Sequence, residues 1–511
     1  MLPLVLEGLS GVAWAELEHA YGSAADVPDL IRALRADDPA ARQKARRGLY
    51  GNIFHQGTRY EASAYAVPFL IELLADPATS ERDEILGLLT SLAIGYDESW
   101  LPDPFPVASY RRRAVGGGQV LRAAPAPTGD EDDGRYRYWE SLDEQDQDRM
   151  FAHVELSVYD AVRAGVPLYC ALLADEDPSV RLAAAYALAW FGEDALAVGG
   201  PLASAAGDAR AEIAATALVA LGLVGTGDPA AERVVRAALA DDRDLVRWGA
   251  AVAHARLRGP AADPAAAAEL LSWAGGDGPT RREVPFLDGD VSGLAGLALR
   301  QVGDAYAGAG FDALLARIPA VSGPEALPIV GEALRRAFPD GRLAPGVRFA
   351  DLDGRAAAAP ACPGRLTRHL GMGRGAGVRQ LHGDGARLRS PLQSRRHAYV
   401  RGRALTTMSG PGDVPPEILD RLRPICRRLP EAYEEPAWIG VRWRIRARTI
   451  AHVYTPDPER SPFYARHLVA GEAPTVMTFR VPVDDLLGLT AGGFPFFQAP
   501  WGSQRGRRLP R

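Results

Sequence analysis

A short pattern recurs three times before residue 175 and constrains the fold more than anything else in the chain. Val27-Pro28-Asp29-Leu30-Ile31-Arg32-Ala33-Leu34, Val67-Pro68-Phe69-Leu70-Ile71-Glu72-Leu73-Leu74 and Val166-Pro167-Leu168-Tyr169-Cys170-Ala171-Leu172-Leu173 align position by position. Each runs into an Ala-Asp step, at Ala36-Asp37, Ala75-Asp76 and Ala174-Asp175. Proline suits the first turn of a helix, where its missing N–H is no loss and its fixed φ is already helical. The apolar residues behind it fall at helical spacing. Each block is therefore expected to start an amphipathic helix at its proline.

A second pattern follows the first. Asp38-Pro39-Ala40-Ala41-Arg42, Asp177-Pro178-Ser179-Val180-Arg181 and Arg243-Asp244-Leu245-Val246-Arg247 each lead into another helical stretch. Asp caps the new helix and Pro begins it. The arginine one turn in is placed to meet acids of the neighbouring turn or repeat. Ala183, Ala184, Ala185 and Ala187 let helices approach closely, and Gly192, Gly222 and Gly259 read as helix stops. A helix pair with one apolar face cannot bury it alone, so such pairs must stack on one another.

These residues resemble HEAT repeats, particularly the short phycobilisome-lyase type, over residues 25–340, with 294–303 and 327–338 matching more loosely. The resemblance implies a mainly α fold, an α-α superhelix (a HEAT-like solenoid) over 1–345; a small α+β domain is expected to follow it, on separate grounds. Scaffolds, adaptors and a few enzymes share that architecture, so it implies no single activity. By analogy alone it admits two enzymes, a HEAT-like DNA-repair glycosylase and a relative of the bilin lyases.

Two stretches interrupt the pattern. Residues 51–64 join two helical segments and are dense in polar side chains: Asn52, His55, Gln56, Arg59, Tyr60 and Glu61. The stretch resembles one that recurs in bacterial HEAT-repeat proteins. It is read as a partner-binding loop at one edge of the stack, against a hydrogen-bonded connector in which His55 ties down backbone. Residues 96–148 form an irregular insertion with a Gly116-Gly117-Gly118 run and the acidic run Asp130-Glu131-Asp132-Asp133. That run lacks the alternating ligands and terminal Glu of a calcium loop, so it is read as solvated. Trp100, Phe105, Tyr136, Tyr138 and Trp139 point to part of the insertion packing on the array.

The chain changes character between 346 and 412, where Arg, Gly and Ala scatter without period. The Gly371–Gly377 stretch has no strand pattern before it and no helix pattern after it, which excludes a dinucleotide fingerprint. A disordered basic linker and an out-of-frame stretch of a GC-rich gene both remain open.

Order returns over 413–502. Residues 417–429 read as a helix, 431–440 as a loop, 441–446 and 449–454 as paired strands, 475–480 as a third strand and 484–489 as a short helix. Leu429-Pro430 with Glu434-Glu435, Trp438 before Arg442-Trp443-Arg444, Ala451-His452-Val453, and Phe496-Phe497 through Trp501-Gly502 resemble the MmcQ/YjbR family. The resemblance implies a small α+β domain often labelled DNA-binding. That family continues past the Trp-Gly step with another helix, whereas here a basic tail, 503–511, follows, so the module reads as truncated. Arg442, Arg444 and Arg446 share one strand face, with Arg448 extending the row, and are read as candidate phosphate contacts for nucleic acid. The competing readings are a charged sheet edge that blocks aggregation, and a face docked on the acidic array. His452 falls inward or outward depending on strand register.

Charge divides along the same line. Residues 351–511 carry 26 Arg against 14 acids, while 1–350 carry 32 basic and 50 acidic residues. A DNA-cradling array would be basic, which argues against the glycosylase analogy. The 3 cysteines stand far apart, excluding a disulfide or zinc framework, and the N-terminal segment lacks a basic signal-peptide start. No protease, hydrolase or P-loop motif occurs, and the 9 histidines do not cluster at metal spacing. The expectation is a cytoplasmic, non-catalytic scaffold without cofactor that binds a protein partner. A nucleic-acid-binding module is the alternative.

Overall fold

The computed structural model describes residues 6–55, 57–127, 134–225, 227–276, 280–321, 326–337, 414–426, 432–437, 440–445, 448–455, 475–480 and 505–506. The chain is mainly helical, with a small sheet towards the C-terminal end. It divides into two compact units, one of Met1–Val321 with Glu325–Arg365 and the other chiefly Leu366–Arg511. No helix among the described residues is long and apolar enough to cross a membrane.

The first unit is a succession of helix pairs. These are α1 (Val27–Ala33) with α2 (Pro39–Asn52), and α3 (Glu61–Ala75) with α4 (Arg82–Ile94). Four further helices, α5 (Val107–Arg113), α6 (Gly117–Arg122), α7 (Gly134–Ser141) and α8 (Glu144–Arg163), come before the pairs resume. Then follow α9 (Val166–Leu172) with α10 (Pro178–Leu188), α11 (Ala195–Ala205) with α12 (Ala211–Val224), α13 (Pro229–Ala238) with α14 (Asp244–Arg258), α15 (Pro264–Gly275) with α16 (Val291–Ala298), and α17 (Ala307–Arg317) with α18 (Ala326–Ala337).

The expected capping chemistry is present. Asp38, Asp177, Asp228 and Asp263 each accept from the backbone N–H two residues on, just ahead of Pro39, Pro178, Pro229 and Pro264. The repeated arginine does more than meet acids. Arg42 Nη1 donates to the Ala36 and Asp37 carbonyls at 2.8 and 3.0 Å. Arg181 Nη1 donates to those of Asp175 and Glu176 at 2.9 and 3.2 Å, and Arg247 Nη1 to those of Asp241 and Asp242 at 2.8 and 3.1 Å. In each case a side chain of the second helix satisfies carbonyls left open by the turn before it. The same heads reach forward to acids further along the chain: Arg42 to Glu81, Arg181 to Asp208 and Arg247 to Glu269.

Each pair is held by its neighbours. The second helices pack in succession, α4 on α10, α10 on α12, α12 on α14, α14 on α16 and α16 on α18, while α9, α11 and α13 follow one another on the other layer. The α12–α14 contact is the most intimate. A Cβ at Gly222 would lie 2.7 Å from the Ala253 Cα, and one at Gly249 would lie 2.7 Å from the Ala215 carbonyl oxygen. Gly222 is therefore a packing residue inside α12 and not a stop, and Gly225, with φ of 60°, ends the helix. Gly259 does end α14, with φ of 54°. Trp190 and Trp248 are fully buried between layers, and the Trp248 Nε1 donates to the Val291 carbonyl at 2.9 Å.

Two further expectations change. Pro28 and Pro167 do lie in first turns, but Pro68 stands inside α3, which begins seven residues earlier at Glu61. The Ser63 hydroxyl explains the early start: it accepts from the Tyr60 N–H at 2.8 Å and donates to the Ile53 carbonyl at 2.6 Å. The 96–148 stretch is largely helical where described. Gly117 opens α6 because a Cβ there would strike the Arg149 carbonyl of α8. The acidic run 130–133 and Gln56 lie outside the described residues.

Residues 97–105 bind the array along its length. The Leu287 N–H donates to Asp97 at 3.0 Å, Arg256 pairs with Asp103 at 2.5 Å, and Phe105 stacks on Tyr159 at 5.1 Å.

In the second unit, α19 (Pro416–Cys426) lies against an antiparallel sheet in chain order. Two short hairpins in the first unit provide β1 (Glu18–His19), β2 (Gly22–Ser23), β3 (Phe54–His55) and β4 (Thr58–Arg59). The sheet itself comprises β5 (Ala432–Pro436), β6 (Val441–Ile445), β7 (Arg448–Tyr454), β8 (Val476–Arg480) and β9 (Arg505–Gly506). The supposed loop 431–440 thus contains an edge strand, hidden in sequence because Glu434 and Glu435 break any apolar alternation. Leu419, Leu422 and Cys426 cover Val441, Trp443, Ala451 and Val453. The 346–412 linker, the 484–489 helix and Trp501-Gly502 lie outside the described residues.

Candidate functional site

The 51–64 stretch joins the end of α2 to the start of α3 through the hairpin β3–β4, set beside β1–β2. The Ala20 N–H donates to the Asn52 carbonyl at 2.9 Å and couples the two. Asn52 and His19 hold the two oxygens of Asp26, at 2.7 and 2.9 Å. The other ring nitrogen of His19 accepts from the Tyr21 N–H at 3.1 Å, so this buried imidazole is fully engaged. His55 Nδ1 lies 3.1 Å from the Gly51 carbonyl and 3.3 Å from the Tyr21 hydroxyl. Tyr21 is 51% exposed.

The remaining candidates of this stretch turn inward. Arg59 is buried, donates to the Gly57 carbonyl at 2.8 Å, and pairs with Glu155 of α8 at 3.2 Å. It is a strut that no partner can reach without unpacking the hairpin. Glu61 and Glu18 share the buried Arg135, at 2.5 and 2.6 Å. Tyr60 contributes its backbone to the α3 start. Of the residues singled out by sequence here, His55 meets the exposed Tyr21 edge-on, with ring centroids 5.3 Å apart.

A different cluster lies where the second helices meet. Tyr50 of α2, Asp97 after α4, and Tyr186 of α10 are densely surrounded by protein, yet each keeps part of its surface open to solvent. Burial pushes the Asp97 carboxyl up to about 7, with Glu98 and Asp288 adding repulsion. The Leu287 N–H and the Tyr186 hydroxyl, both bonded to it, pull the other way. Burial also holds Tyr186 well above its ordinary value and Tyr50 at about 12, so both keep their protons at neutral pH.

The backbone around Asp97 is built to hold it. Leu287 and Asp288 adopt φ of 49° and 55°, left-handed values that side chains seldom take, and Gly289 follows at 86°. This turn aims the Leu287 N–H at a carboxylate 190 residues earlier in the chain. Sequence reading missed Asp97, Tyr50 and Tyr186 because none sits in a motif.

In the sheet, the alternation of β6 holds. Val441 and Trp443 are buried, while Arg442 and Arg444 are half-buried on the opposite face. Glu435, directly across from Arg442 on β5, receives both, at 2.6 and 3.1 Å. His452 is paired in register with Arg442 and so belongs to the same outer face. Arg446 lies outside the described residues, and Arg448 begins β7. Among the described residues no group of three or more His, Cys, Asp or Glu is arranged to hold a metal ion.

No family model and no curated protein matches the chain. Among solved structures, an engineered protein matches at 18% identity, covering 61% of this chain and 78% of its own. Its TM-score of 0.23 is too low to carry an argument.

Proposed function

We propose that the first unit is a HEAT-like solenoid acting as a non-catalytic scaffold, and that it takes a basic segment of a protein partner at the partly exposed Asp97. The observation that supports this reading is the combination of stacked helix pairs with an acid that burial holds above its usual range while part of it stays open to solvent. The surplus of acids over bases in residues 1–350 fits a cationic partner.

A cation docking beside Asp97 favours the ionised carboxylate and so releases a proton. The reading is tested by fluorescence anisotropy of the full chain with labelled Arg/Lys-rich peptides against Asp/Glu-rich controls. Basic peptides bind more tightly as pH rises through about 7, and Asp97→Asn abolishes that dependence. Equal binding of basic and acidic peptides, or a pH profile unchanged in Asp97→Asn, refutes it.

The outer face of the sheet supports a second reading, a nucleic-acid-facing module, because Arg442, Arg444 and His452 share it. Glu435 competes with phosphate for both arginines. On this reading the full chain shifts DNA at low salt, and Arg442→Gln with Arg444→Gln removes the shift.

A further inference from the structure

The last described helices of the array hold a charge cluster separate from Asp97 and from the sheet. Glu332 of α18 is completely buried, and three guanidinium groups converge on it. Arg300, just past α16, donates from Nε to Oε2 at 2.5 Å. Arg335 donates side-on to both oxygens, at 2.9 and 2.6 Å. Arg336 donates from Nε to Oε1 at 2.8 Å. A buried carboxylate needs a partner, and here, among the described residues, three positive heads meet one negative group.

Arg336 carries the argument. Its side chain is 10% exposed, and its Nη2 is buried without an acceptor. Buried donors normally find partners, and one that does not calls for a bound ion, a water or a role. In a guanidinium the Nε–H and one Nη2–H leave the same edge of the plane, the edge used for side-on recognition of oxyanions. The orphan donor therefore faces the Glu332 side of the cluster. Burial pushes the Arg336 pKa down, and Arg335 and Arg300 add repulsion, against the pull of Glu332. Gly310 of α17 makes room for the head: a Cβ there would come within 3.2 Å of Arg336 Nη1. Arg300 and Arg335 keep 26% and 52% of their side chains exposed, so an anion arriving from solvent meets them first.

We propose that Arg300, Arg335 and Arg336 form a binding site for a phosphate-group dianion, with Glu332 as the counter-charge that orients the three heads. Phosphate offers enough acceptor oxygens for several guanidinium edges at once, and its second charge suits a cluster with one internal acid. Chloride supplies neither.

Thermal unfolding of the full chain tests this, with inorganic phosphate, free phosphoserine or chloride added at matched ionic strength. Phosphate or phosphoserine raises the melting temperature and chloride does not. Arg336→Gln and Arg335→Gln each weaken the phosphate response about tenfold. The half-exposed Arg335 position keeps the test readable if Arg336→Gln fails to fold. Glu332→Gln melts lower without phosphate, and phosphate recovers more for it than the parent gains. A response that is absent in the parent chain, equal for chloride, or unchanged in Arg335→Gln overturns the site. These outcomes do not depend on Asp97.

Discussion

Arginines in the two units are used differently. In the helix array, Arg42, Arg181 and Arg247 each lock two carbonyls of the preceding turn and then reach forward to an acid further along the chain. In the sheet, Arg442 and Arg444 lean sideways on the one carboxylate of Glu435. The first arrangement repeats because the turn geometry repeats, and removing the side chain strands backbone acceptors. The second is a part-exposed cross-strand ion pair, whose loss water can partly make good. Where an arginine answers a backbone need it is part of the fold. Where it answers a side chain on a part-exposed sheet face, as Arg442 does, solvent still reaches it.

The strongest way to sharpen that contrast is to strike the array where backbones touch. Gly249→Leu forces a side chain into the Ala215 backbone and is expected to cost about 3 kcal/mol or more in urea unfolding. Gly200→Ala, where a Cβ meets nothing within 4 Å, leaves stability unchanged or slightly raised. Next in size, Arg181→Ala is expected to cost about 1–3 kcal/mol, because two carbonyls and Asp208 lose their partner.

Asp97 gives an effect of opposite sign. Its carboxyl keeps a proton up to about 7 in the folded chain but releases it in the ordinary carboxylate range when unfolded. The folded chain thus binds more protons between those two values, and stability falls as pH rises through that window. Asp97→Asn keeps an acceptor for the Leu287 N–H and removes the fall. It is expected to stabilise the chain by about 1 kcal/mol above neutral pH, a figure discounted for partial solvent contact, and by little under acidic conditions. The smallest effect is Arg442→Ala, within about 0.5 kcal/mol of the parent. A loss equal to that of Arg181→Ala would break the comparison.

What could be read from sequence follows the same division. The Asp177-Pro178 cap was legible because capping acts within a few residues, and Arg181 was legible as a partner for an acid, whereas its grip on the carbonyls of the turn before it was not. The strand 441–445 was legible from its alternation, although the side taken by His452 waited on a register set by pairing with Arg442. Gly222 misled because a glycine near a helix end reads as a stop, whereas the close approach of α14 decides its role. Pro68 misled because Ser63 starts the helix earlier. Asp97 and the turn at Leu287 were illegible because their bond spans 190 residues and neither end carries a pattern. The polar 51–64 stretch was visible, but composition alone could not separate the buried Arg59 from the exposed ring of Tyr21.

The central claim is that each helix pair in the first unit is held by its neighbours along the chain. Amide hydrogen exchange in Gly249→Leu tests it most directly. The account predicts that protection falls most in α12 and α14, less in α10 and α16, and least in α1 and α2. Uniform loss across all these helices, or full protection retained in α12, would contradict it.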